Sequence, residues 1–115
     1  MKVMKTDNLQ VVADSLFFGK VERQGVLPKG AAGMVVALVR FAPGAGTKMH
    51  THTGEQVLVI TEGEGVVATE TERHTVRPGM VVHIPKNERH CHGAAKDSPF
   101  AHFSIQTPGE TKITE

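Results

Sequence analysis

The sequence predicts an all-β fold, a sandwich or barrel, on three observations. Short β-branched runs separated by glycine and proline recur from end to end. No segment carries an apolar stripe at helical period over three turns. At 115 residues the chain is long enough for one core of this kind and too short for a second.

The elements follow in order. Val35 to Phe41 reads as a strand that ends at the Pro43-Gly44 turn. Gln56 to Thr61 is the next, closed by Glu62-Gly63-Glu64-Gly65, and Val66 to Glu70 follows it. His74 to Arg77 runs into Pro78-Gly79, Val81 to Ile84 stops at Pro85, and Phe100 to Gln106 ends before Pro108-Gly109. On the strand from Gln56 both faces are apolar, with Leu58 and Ile60 on one side and Val57 and Val59 on the other. A strand with one face in water should alternate, so the second face needs a cover. A second copy of the chain is the economical one, and a homodimer is expected. The N-terminal segment of the same chain is the alternative.

Composition removes several classes of function. Thirteen basic against twelve acidic residues leave a formal charge of +1, which is no electrostatic footprint for nucleic acid or an anionic membrane. Tryptophan and tyrosine are absent, so base stacking would rest on five phenylalanines. The most apolar stretch, Ala31 to Val39, is far shorter than the ~20 residues of a membrane helix. Met1 to Lys5 meets Asp7 and Asn8 before any long apolar run, which is not the pattern of a secretory leader. A lone cysteine, Cys91, allows no internal disulfide and suits a reducing compartment. The expectation is a soluble cytoplasmic protein whose partner is a small molecule, not a nucleic acid or a membrane.

The chemistry concentrates in His50-Thr51-His52, followed by Gln56 and, much later, His90. Side chains alternate along a strand, so positions 50, 52 and 56 share one face while Thr51, Thr53 and Glu55 point away. Parity therefore nominates Gln56, not Glu55, as the companion of the two histidines. Imidazoles with a carboxamide are a donor set for a divalent metal.

The flanking residues make the pattern specific. From Gly44 to Gly63 the chain reads G-x5-H-x-H-x3-Q-x6-G, and from Gly79 it reads G-x5-P-x-N-x2-H-x3-A through Pro85, Asn87, His90 and Ala94. These two segments resemble the paired motifs of the cupin superfamily. The resemblance implies a double-stranded β-helix, or jelly-roll barrel, in which His50, His52, Gln56 and His90 converge as metal ligands. It also implies one domain over residues 1–115, with N-terminal strands and an arm over 1–33, the barrel over 34–106 and a C-terminal tail over 107–115. Four positions depart from the pattern: Gln56 where glutamate is frequent, Asn87 for glycine, Met80 for aspartate and Ala94 for asparagine. Asn87 is a mild change, because asparagine tolerates a left-handed turn better than most residues.

A further stretch sharpens the resemblance. Phe17-Phe18-Gly19-Lys20-Val21, Leu27, His90-Cys91-His92-Gly93-Ala94-Ala95 and His102-Phe103-Ser104-Ile105-Gln106 are similar to a group of small bacterial cupins. That group includes the manganese-dependent (R)-selective hydroxynitrile lyases, and the likeness covers roughly residues 17 to 106. It implies one divalent ion per chain, with Mn(II) or Fe(II) favoured. Ni(II), Zn(II) and Cu(II) accept the same ligands, and the affinity order favours the later ions.

A neutral ligand set leaves the full charge on the ion, which tilts the chemistry toward elimination, addition or isomerisation and away from oxygen activation. His102 and His92 share the ligand parity and can serve as acid or base near pH 6 to 7. His102 is the first choice, as the resemblance implies a substrate-contacting role there; His92 is the second, with orienting a ligand as its equal alternative. His74 is expected to be solvated, and His83 to be a half-buried, hydrogen-bonded residue of the barrel wall. Arg40 interrupts an apolar strand and is either a carboxylate-binding group or, more ordinarily, an exposed edge residue. The functional expectation is a metal-dependent lyase or isomerase on a small hydroxy or oxo compound. The competing classes are a cupin dioxygenase and a non-catalytic barrel that binds a ligand or metal.

Overall fold

The Pro43-Gly44, Glu62 to Gly65 and Pro78-Gly79 signals break the chain where the sequence predicts, with Gly44, Gly63 and Gly79 all at positive φ. A Cβ on Gly63 would stand 1.8 Å from the Pro99 carbonyl oxygen, so this turn admits no other residue. The computed structural model describes residues 1–28 and 31–115; Lys29 and Gly30, within the predicted N-terminal arm, lie outside the described residues. Among the described residues there is no helix, and hence none long and apolar enough to cross a membrane.

The strands are β1 (Gln10–Val11), β2 (Phe17–Phe18), β3 (Val21–Gly25), β4 (Val35–Phe41), β5 (Gly46–Thr47), β6 (His50–His52) and β7 (Gln56–Gly63). They continue as β8 (Gly65–Ala68), β9 (Arg73–Val76), β10 (Val81–Ile84), β11 (Cys91–Ala94), β12 (Phe100–Gln106) and β13 (Thr111–Ile113). One sheet runs β1-β3-β4-β12-β7-β10, a second runs β2-β5-β11-β8-β9, and β13 pairs with β6. All pairings are antiparallel. The all-β expectation holds, and the two larger sheets enclose the core of a jelly-roll barrel.

Alternation decides what fills that core. The buried positions of β4 are Ala37, Val39 and Phe41, and those of β7 include Leu58 and Ile60. Phe41 and Phe100 stack with centroids 5.9 Å apart and, with Val21 and Leu58, are wholly buried. Each such side chain contributes about 1.5–3 kcal/mol by leaving water. At the other end of the same inner face the apolar set gives way to His50, His52, Gln56, His90, His92, His102 and Ser104, all 8% exposed or less.

The observed boundaries differ from the expected ones at two hairpins: the strand expected to end at Thr61 runs on to Gly63 and the next begins at Gly65, leaving Glu64 alone between them. The strands predicted over 66–70 and 74–77 are Gly65–Ala68 and Arg73–Val76. Thr69 Oγ1 accepts from the backbone N–H of Thr71 and of Glu72, which draws Thr69 and Glu70 into the turn. The segment expected as a C-terminal tail carries β13, paired through Thr111↔His52 and Ile113↔His50.

The outer face of the larger sheet is apolar in two rows. Val36, Ile105 and Val57 lie side by side, as do Leu38, Phe103, Val59 and Val81. The N-terminal segment bonds elsewhere: the Gln24 side chain holds Lys5 and Asn8, on a strand three removed from β7. His83 is not half-buried as expected. It lies on this outer face of the edge strand β10, 59% exposed along its side chain, and bonds Glu55 at 2.7 Å. His74 is solvated, as predicted.

Candidate metal centre

Strand parity orients the first three candidates. His50, His52 and Gln56 are buried, whereas Glu55 points outward, where it accepts hydrogen bonds from His83 and from the Lys86 backbone. These two bonds hold the Glu55 carboxyl below its ordinary pKa, the one from Lys86 contributing most. A reciprocal backbone bridge between His50 and His90 brings the second motif against the first. The turn that delivers His90 has Asn87 at φ 66, the left-handed conformation expected of an asparagine in glycine's place. The Asn87 N–H donates to the His52 carbonyl at 2.7 Å, which ties this turn to β6.

His50, His52 and His90 are close enough to hold a metal ion, with one ring nitrogen of each lying within 4.8 Å of the others. Ring centroids are 4.7 Å apart for His50 and His52, and 4.2 Å for His50 and His90. Each imidazole is oriented by its other nitrogen. His50 Nδ1 donates to the Lys48 carbonyl at 2.7 Å, His90 Nδ1 to the Glu88 carbonyl at 2.8 Å, and His52 Nδ1 to Thr111 Oγ1 at 2.8 Å. A proton on Nδ1 leaves the Nε2 lone pair for a ligand role.

The carboxamide of Gln56 is oriented in the same way. Gln56 Nε2 donates to Ser104 Oγ at 2.8 Å, and Ser104 Oγ donates onward to Gln106 Oε1 at 3.3 Å. This leaves Gln56 Oε1 buried without a partner, as are His52 Nε2 and His90 Nε2. An unmade hydrogen bond on a buried polar atom costs about 1–3 kcal/mol. A divalent cation would satisfy all of these lone pairs at once, so the residues present fit such an ion.

Burial acts first on the imidazoles. It pushes His50 and His52 down to about 4, with the neighbouring His90 charge adding to the effect, and it lowers His90 as well. These rings are therefore neutral at neutral pH, the form in which histidine binds metals.

His92 stands beside the cluster, its ring 5.7 Å from that of His50 and 5.8 Å from that of His90. Gly93, the next residue, allows the approach that brings β11 against β5: a Cβ there would stand 2.6 Å from both the Ala45 oxygen and the Gly46 Cα. His102 lies on the far side of His92, and His102 Nε2 meets His92 Nδ1 at 3.1 Å. Burial lowers both, His102 to about 4 and His92 well below its ordinary value. The pair is then two neutral rings joined by one hydrogen bond, one nitrogen donating and the other accepting. A register shift between Ala101 and His102 marks an irregularity in β12 at this point, a common device for aiming a side chain.

A cavity of about 380 Å³ opens over this group, with His50, His52, Gln56, His92 and His102 in its wall and Ala37, Val39 and Phe17 beside them. Arg40 does not reach it. Its guanidinium binds Glu62 at 2.9 and 3.2 Å, so the arginine that lines the cavity is Arg23. Ser104, Gln106 and Thr111 also line it, and sequence reasoning assigned none of them to the ligands they orient. Ser104 and Gln106 share the His102 parity, which was a usable signal; Thr111 had none.

A family model for the cupin domain matches residues 37–105. The chain belongs to the cupin family. It is 41% identical over 71 residues to an (R)-mandelonitrile lyase of Granulicella tundricola, covering 61% of this chain and 54% of that one. It is 32% identical over 57 residues to the dimethylsulfoniopropionate lyase DddW of Ruegeria pomeroyi, covering 50% and 38%. The chain thus spans about half or less of these curated relatives. Among solved structures, a cupin-like protein of Thermotoga maritima superposes with a TM-score of 0.80 at 30% identity, over 96% of this chain and 83% of that one.

Proposed function

We propose that this cupin is a metal-dependent enzyme that acts on a small hydroxy or oxo compound by lyase or isomerase chemistry, with cyanohydrin cleavage as the first reaction to assay. The observation that carries the reading is the convergence of orphaned ligand atoms, His52 Nε2, His90 Nε2 and Gln56 Oε1, beside the His92–His102 pair. A structural ion needs no spare imidazole dyad at its side. The likeness to a mandelonitrile lyase supports the choice of reaction.

His50, His52, Gln56 and His90 would hold one divalent ion, Mn(II) or Fe(II) in the first instance. When bound, it supplies Lewis-acid polarisation of the substrate oxygen. The His92–His102 pair would take the hydroxyl proton of a cyanohydrin. The oxygen's electron pair then closes the carbonyl, the carbon–carbon bond to the nitrile breaks, and cyanide leaves and is protonated to hydrogen cyanide. Apolar Ala37, Val39 and Phe17 would shelter the organic group of the aldehyde product. We further propose a homodimer through the rows of Val36, Val57, Val59, Phe103 and Ile105, and a cytoplasmic location in keeping with the free Cys91.

Elemental analysis of untagged protein purified without chelator tests the centre, with about one ion per chain expected. Cyanide release from (R)-mandelonitrile by the loaded protein tests the reaction. An ion without lyase activity but with oxygen uptake in the iron form would move the reading to a dioxygenase. Protein that stays empty after incubation with divalent ions would make it a metal-free binding barrel.

A further inference from the structure

Arg23 rises from the inner face of β3, which lies between β1 and β4 in the larger sheet. It pairs with Val39, which pairs in turn with His102, so the three share one row across the sheet. Two strand spacings of about 4.8 Å each separate the backbone of Arg23 from that of His102. Arg23 lines the cavity, with Val35 and Gln106 in the same wall. A Cβ on Gly25 would meet only Arg23 Nη1, at 3.9 Å.

Three other arginines are neutralised by glutamates: Arg40 by Glu62, Arg77 by Glu64 and Arg89 by Glu70. Arg23 has neither an ion pair nor a hydrogen bond among the described residues. The one carboxylate in the cavity wall, Asp14, accepts the Leu16 N–H at 2.8 Å in a local turn. The ligand set carries no charge, so a bound divalent ion and Arg23 would together give the cavity an excess of positive charge.

We propose that Arg23 selects the substrate by reading an anionic group, a carboxylate, set several bonds away from the hydroxyl or carbonyl carbon that meets the His50, His52, His90 and Gln56 cluster. This rests on the proposed function and narrows it to hydroxy or oxo acids. A guanidinium offers a carboxylate two parallel N–H donors, and such a bond is stronger than one between neutral groups. The row places Arg23 at one end of the bound molecule and the proton-handling pair at the other.

The test is a ligand-observed NMR titration of the Mn(II)-loaded protein with levulinate, an oxo acid, and with its neutral amide. Levulinate should bind about tenfold more tightly than the amide, as expected for a charge-assisted contact. Arg23→Gln should bring the two to equal affinity at unchanged metal content, and Arg23→Lys should keep part of the preference. No preference in the native protein, or a preference that survives Arg23→Gln, overturns the proposal. Paramagnetic broadening of the levulinate methyl protons reads the metal separately. An Arg23-dependent preference without broadening upholds the anion site and counts against the metal centre instead.

Discussion

Gln56 and Ser104, 48 residues apart in the chain, meet at 2.8 Å with the carboxamide nitrogen donating to the hydroxyl. That single bond decides which end of the amide faces the histidines. A carboxamide can flip, and without a fixed acceptor for its nitrogen it could present either atom to an ion.

Ser104→Ala should therefore weaken metal binding about 10–100-fold, the usual loss when a group supporting a ligand is removed. Competition with a fluorescent chelator measures it. Unchanged affinity would show that the carboxamide needs no help from Ser104.

Gln56→Ala removes a proposed ligand and should lower affinity beyond that range, by more than about 100-fold. Glu55→Ala, one residue away on the opposite face, should leave affinity intact and cost only the exposed contacts to His83 and Lys86. Equal retention in both variants would remove Gln56 from the ligand set.

His102→Ala should retain the ion and lose turnover, because His102 reaches the cluster only through His92. General acid–base groups contribute about 10²–10⁴-fold. Metal content and kcat measured on the same sample separate the outcomes; loss of the ion would recast His102 as support for the centre.

Thr111→Val deletes the hydroxyl that accepts from His52 Nδ1 while keeping the shape of the side chain. Metal affinity should fall about 10–100-fold and recover in Thr111→Ser. The C-terminal strand is clasped nearby, since Arg89, next to His90, bonds both the hydroxyl and the carbonyl of Thr114. Removal of residues 110–115 should thus cost metal binding as well as stability, read by chelator competition and thermal melting.

Acid should destabilise the metal-free protein over a defined window. His50, His52 and His102 are held at about 4 by burial, whereas an unfolded imidazole titrates near 6.5. Between these values the unfolded chain takes up protons that the folded one refuses. The stability is present in full above about pH 6.5 and falls as pH drops toward 4. Thermal melts in chelator across that range should show Tm declining with pH, and a flat profile would contradict the burial of these rings as neutral groups. In the loaded protein the same protons compete with the ion, so metal should be released over the acid side of the range.

Much of the site was legible in the sequence because strand alternation is a local property. Parity alone separated Gln56 from Glu55, put His92 on the side of His90 and Ser104 on the side of His102, and glycine and proline marked where the strands end. The left-handed Asn87 was legible for the same reason, as one residue's own conformational preference. What only the tertiary structure decided depends on register between distant strands. The two- and three-residue strands β1, β2, β5 and β13 are too short to show any period, and they exist because a neighbour offers unpaired backbone groups. Thr111 reaches His52 only through the pairing of β13 with β6, and Ser104 reaches Gln56 only through the register of β12 on β7. Arginine shows the limit most plainly. Arg23 and Arg40 both sit in strands, and only the closing of the sheets turned Arg23 to the cavity and Arg40 to Glu62, because which face becomes the inside is a property of the barrel and not of the strand.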